Sequence, residues 1–201
     1  MTESPIRVLC IGGSTRPNSS SEKAVRVSAA AAEAEGAVVD LIVSRDLMLP
    51  IYDTETPDRT PEAQRFVAAA RAADALIIAS PGYHGTMSGM IKNVLDYLED
   101  TNADERVYLD GVPVGCIAVS YGWQATVSTL QSLRTTVHAL RGWPSPFGAT
   151  INATEKIFDG DGACIDERAK FGLETVAKQV VEFAKLRKAG LVTDLAVAGT
   201  V

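Results

Sequence analysis

The segment Ser80–Glu99, SPGYHGTMSGMIKNVLDYLE, decides the fold, because it joins an apolar run to an amphipathic helix pattern through a Pro-Gly-Tyr-His-Gly-Thr turn. The residues before it, ALIIA at 75–79, form the unbroken apolar run that is typical of a strand buried on both faces of a parallel sheet. In an open sheet of this type, ligands bind beyond the carboxyl ends of the strands. The turn at 80–86 is therefore a candidate ligand-binding loop.

A second candidate loop, GGSTRPNSSSEK, follows the apolar run at 6–11. Its two glycines allow backbone N–H groups to approach an anion, and a helix beginning in the serine run would present further unpaired N–H groups. The loop lacks both GxGxxG and GxxxxGK[ST], so the pattern favours a terminal phosphate over a bridging pyrophosphate. The alternative is that the serines at 19–21 only cap a helix that carries Glu22 in its first turn.

The third candidate loop, SYGWQ at 120–124, follows the apolar run at 113–119. Tyr121 and Trp123 are able to flank a planar ring, although aromatic side chains at a strand end more often pack in the core. This loop by itself leaves both interpretations open. If the three runs are parallel strands of one sheet, all three loops open on the same edge.

Strand and helix patterns alternate along the whole chain. The predicted strands cover 6–11, 37–43, 75–80, 113–119 and 147–151, and the predicted helices cover 20–35, 61–73, 87–99, 125–141 and 166–188. This alternation predicts an α/β fold with a doubly wound five-stranded parallel sheet and helices on both faces. We expect one domain over 1–190, with Gly190 ending the last helix. The apolar tail 191–201 is expected to pack on the domain or on a partner subunit.

Composition narrows the class of protein. The chain has 201 residues, 46% of them hydrophobic, which suffices for one sizeable core, and its net charge of −6 argues against nucleic acid as a partner.

We see no membrane-spanning run and no signal peptide, so we expect a cytoplasmic protein that does not bind membranes. Neither His84 nor His138 has a partner at metal-ligand spacing, and no GxSxG elbow is present, so we expect no metal and infer that a cofactor supplies the chemistry.

The chain resembles the NADPH-dependent FMN reductase family, which has a flavodoxin-like fold. Two segments carry the resemblance: GGSTRPNSSS at 12–21 matches the GSxRxxS loop of the family, and PGYHGTMSGMIKNVLD at 81–96 matches its P-x-Y-x5-G-x2-K-N-x-L-D motif. Looser agreement runs from about 7 to 186 and includes LPIYD at 49–53. The chain departs from many relatives at Ser88 and at 125–126, which affects the expected shape of the substrate pocket.

The resemblance implies FMN as the cofactor and NADPH or NADH as the co-substrate. It assigns the FMN phosphate to Ser14, Arg16, Ser19 and Ser21. It assigns one edge of the isoalloxazine to Pro81, Gly82, Tyr83, His84 and Gly85, and the other side of the ring to Ser120, Tyr121 and Gly122. Gly89, Lys92, Asn93 and Asp96 are expected to brace the turn. Hydride transfer takes place at flavin N5, so no catalytic side chain is expected.

The implied activity is transfer of a hydride from a reduced nicotinamide to the flavin and then to free FMN, a quinone or another small electrophile. One alternative is a dedicated FMN-dependent dehydrogenase of a biosynthetic intermediate, of the aminodeoxychorismate type. Another is a non-catalytic flavodoxin-like electron carrier. We expect a homodimer or homotetramer, because resemblance to dimeric relatives adds to the apolar tail and to an apolar stripe at 87–98 that is wider than one sheet face needs.

Overall fold

The structure, a computed structural model, describes the backbone of residues 4–198 and the side chains of residues 4–190. The strands are β1 Arg7–Gly12, β2 Val38–Val43, β3 Ala75–Tyr83, β4 Thr86–Met87, β5 Pro113–Ser120, β6 Trp143–Pro144 and β7 Ala149–Asn152. The helices are α1 Ser20–Ala34, α2 Pro61–Ala72, α3 Gly89–Asp96, α4 Trp123–Ala139 and α5 Glu167–Ala198. Short 3-10 turns follow β2 and α3.

The sheet confirms the predicted doubly wound architecture. Its order is β2-β1-β3-β5, and β6 and β7 both pair in parallel with β5, so that together they fill the fifth position. The fifth strand is divided by 145–148, a stretch with Pro146 and Gly148, which are residues that weaken strand pairing. The remaining strand, β4, runs antiparallel to the end of β3. Within residues 4–198 the sheet therefore has seven strands built on the expected five-strand core.

Each face of the sheet is covered by its own hydrophobic core. One core lies under α2, α3 and α4, and includes Phe66, Ile91 and Leu133. The other lies under α1 and α5, and includes Val25 and Leu173. These two layers of helices are what a sheet of buried parallel strands requires, because both of its faces are apolar.

The central strands carry two of the cysteines. Cys10 and Cys116 are buried and free, as expected for small hydrophobic side chains in a strand. Burial raises the pKa of Cys116 to about 12 and also raises that of Cys10. Neither thiol is therefore a reactive thiolate at neutral pH.

Helix α3 does not carry the surplus apolar stripe that the sequence suggested. Of the stripe residues, Ile91, Val94 and Leu98 are fully buried, and Met87 and Leu95 are nearly so, all within the core of the chain itself. The inference that this stripe is wider than one sheet face needs is wrong, because the sixth stripe residue, Met90, is partly buried against the same core, to which the 3-10 turn after α3 contributes Tyr97 and Leu98.

The last helix is longer than predicted. Helix α5 continues through Gly190 to Ala198, so the prediction that Gly190 ends it is wrong. A glycine ends a helix when it adopts a left-handed backbone, and Gly190 does not. The side-chain packing of the 191–201 tail lies outside the described residues. Within the described part of the chain, no helix is long and apolar enough to span a membrane.

Candidate functional site

Three loops meet at the carboxyl edge of the sheet, as the sequence predicted. They begin near the carboxyl ends of β1, β3 and β5, which are adjacent parallel strands paired close to those ends: Gly12 pairs with Ala79, and Pro81 pairs with Val119. The candidate residues of the loops at 12–21, 81–86 and 120–122 are thereby brought to one edge.

The loop after β1 combines a helix cap with unpaired donors. Ser19 caps α1, since its Oγ accepts a hydrogen bond from the Glu22 N–H at 3.3 Å, and the Oγ atoms of Ser19 and Ser21 lie 3.2 Å apart. The Ser14 Oγ accepts from the Arg16 N–H at 3.2 Å, which folds the loop back on itself. The exposed guanidinium of Arg16 forms no hydrogen bond or ion pair with the described residues. The capping role of Ser19 is therefore real, but it leaves the cationic group of the loop available.

Glu22 is a buried carboxylate behind this loop, and sequence reasoning gave it only a place in the first helical turn. It accepts hydrogen bonds from the Asn18 N–H at 2.8 Å, from the Ser44 hydroxyl at 2.5 Å and from Arg26 at 2.8 Å. Burial alone would raise the pKa of Glu22, but the bonds from Ser44, Arg26 and Asn18 outweigh burial and hold it below its ordinary value. Glu22 is thus ionised at neutral pH.

The loop after β3 is a tight hairpin. Strand β3 continues to Tyr83, three residues beyond the predicted end at 80, and Tyr83 pairs with Thr86 across a two-residue turn. His84 and Gly85 form that turn with φ values of +51° and +89°, a sign pattern that type I′ hairpins require at both central positions. The side chains of Tyr83 and His84 are exposed. Pro81 and Gly82, predicted to belong to the turn, instead lie in the strand.

The base of this hairpin packs directly on the last residue of β5 and on helix α4. A Cβ added to Gly82 would overlap the Ser120 Oγ and the Thr129 Oγ1, so only glycine fits there. The Ser120 Oγ is buried and has no hydrogen-bond partner among the described residues. A buried hydroxyl without a partner is uncommon in proteins, and its position between two ligand-type loops makes it a candidate ligand contact.

The aromatic residues of the third loop do not pack in the core. Tyr121 is 75% exposed and Trp123 is 52% exposed, so the core-packing alternative is wrong for both. Gly122 has a φ of +98°, and its N–H donates to the Asn152 Oδ1 at 2.9 Å. Asn152, at the end of β7, therefore holds the backbone of this loop, and sequence reasoning missed it. The only available signal was its position after a short apolar run.

The KN-x-L-D motif was expected to brace the 80–86 turn, but its Asn93 braces a different segment. The Asn93 side chain donates to the Pro50 carbonyl at 2.8 Å and accepts from the Tyr52 N–H at 2.8 Å, so it braces the segment after β2. Arg59 adds a second brace, because its guanidinium lies 4.6 Å from the centre of the Tyr52 ring and is paired with Asp100 at 2.8 Å. Lys92 and Asp96 form an ion pair on the helix surface at 2.5 Å. Asn93 is architectural, as predicted, but not for the 80–86 turn.

The donor set fits FMN. Hydroxyls, an unpaired guanidinium and a helix N-terminus suit a phosphate monoester, and the adjoining loops supply glycine backbone, a buried unpartnered hydroxyl and exposed aromatic rings for a planar group. No cluster of three or more potential metal ligands occurs among the described residues. The fold and these loops define a flavodoxin-like α/β protein of the flavin-binding type.

Comparison with known proteins supports this class and narrows it. The family model for NADPH-dependent FMN reductase matches residues 6–154, and the chain belongs to this family. It is 31% identical over 161 residues to an NADPH azoreductase of Bacillus sp. (strain OY1-2), covering 77% of this chain and 80% of that protein. It is 30% identical over 171 residues to an NAD(P)H-dependent FMN reductase of Pseudomonas aeruginosa, covering 82% of this chain and 88% of that protein.

Solved structures agree on the fold. The flavoenzyme NAD(P)H:(acceptor) oxidoreductase FerB from Paracoccus denitrificans is similar with a TM-score of 0.71 at 19% identity, covering 90% of this chain and 98% of that one. A flavodoxin, WrbA-like protein from Agrobacterium tumefaciens has a TM-score of 0.61 at 16% identity, with the same coverage of both chains. The resemblance inferred from the sequence is confirmed. The chain is an FMN-dependent NAD(P)H oxidoreductase, and its family uses FMN and NADPH.

Proposed function

We propose that the three loops hold one FMN molecule. Ser14, Arg16, Ser19 and Ser21 bind its phosphate, the backbone and side chains of 81–85 lie along one edge of the isoalloxazine, and 120–122 contact its other side. The observation that carries the proposal is the exposed guanidinium of Arg16, which has no partner among the described residues and lies in the same loop as the Ser19–Ser21 hydroxyl pair. Such a set of donors stabilises a terminal phosphate, and the chain offers no second glycine-rich loop for an adenylate.

When bound, FMN supplies the two-electron chemistry by which a reduced nicotinamide donates a hydride and an acceptor is reduced. The residues of the chain bind and orient the ring, and the N–H groups of the hairpin stabilise negative charge at its edge, so no side-chain acid is needed. The acceptor binds next to the exposed rings of Tyr83, Tyr121 and Trp123, in a pocket that a neighbouring subunit would complete. These rings favour a planar aromatic acceptor, such as a quinone, an azo compound or free FMN.

We further propose that the enzyme is a cytoplasmic homodimer or homotetramer, formed by one domain at 1–190. Tyr83, Tyr121, Trp123 and Val127 are exposed around the site and now replace α3 as candidates for the seam. An interface there would shield the reduced ring from bulk water. The −6 charge disfavours nucleic acid as a partner. Light scattering at micromolar concentration should give a mass two or four times the 21.3 kDa of one chain, and a fully active monomer would contradict the proposal.

An anaerobic titration tests the function. Protein reconstituted with FMN should lose its flavin absorbance when NADPH is added, and a quinone or azo compound should restore it. NADH, added in parallel, shows which nicotinamide is preferred. Flavin that NADPH and NADH leave oxidised would contradict the reductase proposal. Selective binding of FAD over FMN would contradict the assignment of the phosphate loop.

A further inference from the structure

The buried carboxylate of Glu22 has no role in the function proposed above. The residue is 4% exposed, although burying an ionised carboxylate is costly unless its oxygens are well paired. Here one oxygen accepts from the Asn18 N–H at 2.8 Å and the Ser44 hydroxyl at 2.5 Å. The other accepts from the Arg26 Nε and Nη2 at 3.0 and 2.8 Å. One carboxylate therefore joins the loop after β1, the end of β2 and the second turn of α1.

The groups that Glu22 joins belong to backbone in an unusual conformation. Asn18 has a φ of +56° and Ser44 a φ of +49°, values that are uncommon for residues other than glycine. Such residues cost free energy and persist where their surroundings hold them. Gly13, with a φ of +123°, packs against Ser44: a Cβ on Gly13 would lie 2.7 Å from the Ser44 Oγ and 2.9 Å from its N. Glu22 thus holds one end of the 13–18 loop directly and the other through Ser44.

We propose that Glu22 is a positioning residue that forms the phosphate loop before the ligand binds. The inference rests on the proposed function, since it takes the 13–21 loop as the phosphate site. A loop held in its binding conformation loses less conformational entropy on binding, and the affinity for the phosphate is higher for that reason. Glu22 acts through Asn18 and Ser44 and need not touch the ligand.

The negative charge of Glu22 lowers FMN affinity, whereas its hold on the loop raises it, so the two effects can be told apart by experiment. A carboxylate in the first turn of α1 repels a phosphate at the N-terminus of the same helix, so removing the charge alone would strengthen FMN binding. Removing the hydrogen bonds by which Glu22 holds Asn18 and Ser44, here called the clamp, would weaken FMN binding. The sign of the change in affinity therefore separates the two possibilities.

The experiment compares FMN with riboflavin, which lacks the phosphate. Glu22→Gln keeps the length of the side chain but replaces one acceptor oxygen by an NH2 donor, so it cannot accept from all of its present partners. We expect FMN affinity to fall about 10-fold, the scale of a lost hydrogen bond to a charged group, and riboflavin affinity to stay within about twofold. Glu33→Gln is the matched control, because Glu33 is exposed on α1 and undergoes the same change of charge. It should leave both affinities unchanged.

A second measurement needs no ligand. Amide hydrogen exchange at 13–18 should be faster in Glu22→Gln than in the wild type and unchanged in Glu33→Gln, because a neutral amide oxygen accepts more weakly than a carboxylate from the Asn18 N–H and the Ser44 hydroxyl. If Glu22→Gln does not fold, Ser44→Ala removes one link of the clamp and should weaken FMN about threefold without affecting riboflavin.

The outcomes separate the inference from the function on which it rests. The clamp would be overturned if Glu22→Gln bound FMN more tightly than the wild type. It would also be overturned if the ratio of FMN affinity to riboflavin affinity stayed the same, whether both affinities fell or neither did. Unchanged exchange at 13–18 would overturn it as well. A wild-type protein that binds neither flavin would instead overturn the proposed function.

Discussion

The loop at 13–19 and the hairpin at 82–87 lie side by side at the edge of the sheet, but they are held in different ways. The first is fixed by side chains: Ser19 caps the helix, and Glu22 joins Asn18 to Ser44. The second is fixed by the backbone, through strand pairing and a two-residue turn at positive φ. Shortening a side chain should therefore damage the first region, and adding a Cβ should damage the second.

The largest effect is expected from Arg16→Ala in the first region. The variant removes the one cationic side chain of the loop, and a charge-assisted hydrogen bond contributes about 1.5–3 kcal/mol, so FMN affinity should fall roughly 10- to 150-fold. Fluorescence titration with FMN measures the loss. Arg45→Ala is the matched control, because Arg45 is exposed at the end of β2 and has no ion pair among the described residues. FMN affinity that is equal in Arg16→Ala and in the wild type would refute the phosphate assignment.

The difference between the two regions also explains what the sequence could and could not predict. Buried parallel strands appear as continuous apolar runs, so the doubly wound architecture followed from the alternation of strand and helix patterns. The edge on which the loops open followed from the runs at 6–11, 75–79 and 113–119. The cap at Ser19 followed from local chemistry, because the serine and Glu22 are three residues apart.

Contacts between distant segments were not predictable in this way. Glu22 meets Ser44 across 22 positions, and Asn152 meets Gly122 across 30, so no local pattern reports either pair. The apolar stripe of α3 was misjudged for the same reason, because its width shows how much surface is apolar but not which neighbouring element covers it. The division of the fifth strand likewise depends on how β5 is paired at each of its ends.

A smaller effect is expected from Gly85→Val in the hairpin. A Cβ at Gly85 would meet no described atom within 4 Å, so the cost comes from its φ of +89° and not from a clash. Placing a residue with a β-branched side chain in a left-handed conformation costs about 1–2 kcal/mol or more, and FMN affinity should fall roughly 5- to 30-fold if the turn shifts to relieve that strain. Gly160→Val is the control, since Gly160 also has open space around it but no positive φ. If the two variants bind FMN equally well, the positive φ of the hairpin turn does not contribute to FMN affinity.

The smallest effect is expected from Tyr83→Phe, two residues earlier in the same hairpin. Tyr83 is 52% exposed, and its hydroxyl donates no hydrogen bond within the described part of the chain, so removing that oxygen leaves the strand pairing with Thr86 intact. FMN affinity should change less than about twofold, because the ring and the backbone are retained. The same fluorescence titration compares this variant with Gly85→Val. A loss in Tyr83→Phe as large as that in Gly85→Val would mean that the side chain, and not the main chain of the hairpin, holds the flavin. The contrast between the two regions would then fail, since both loops would depend on side-chain donors.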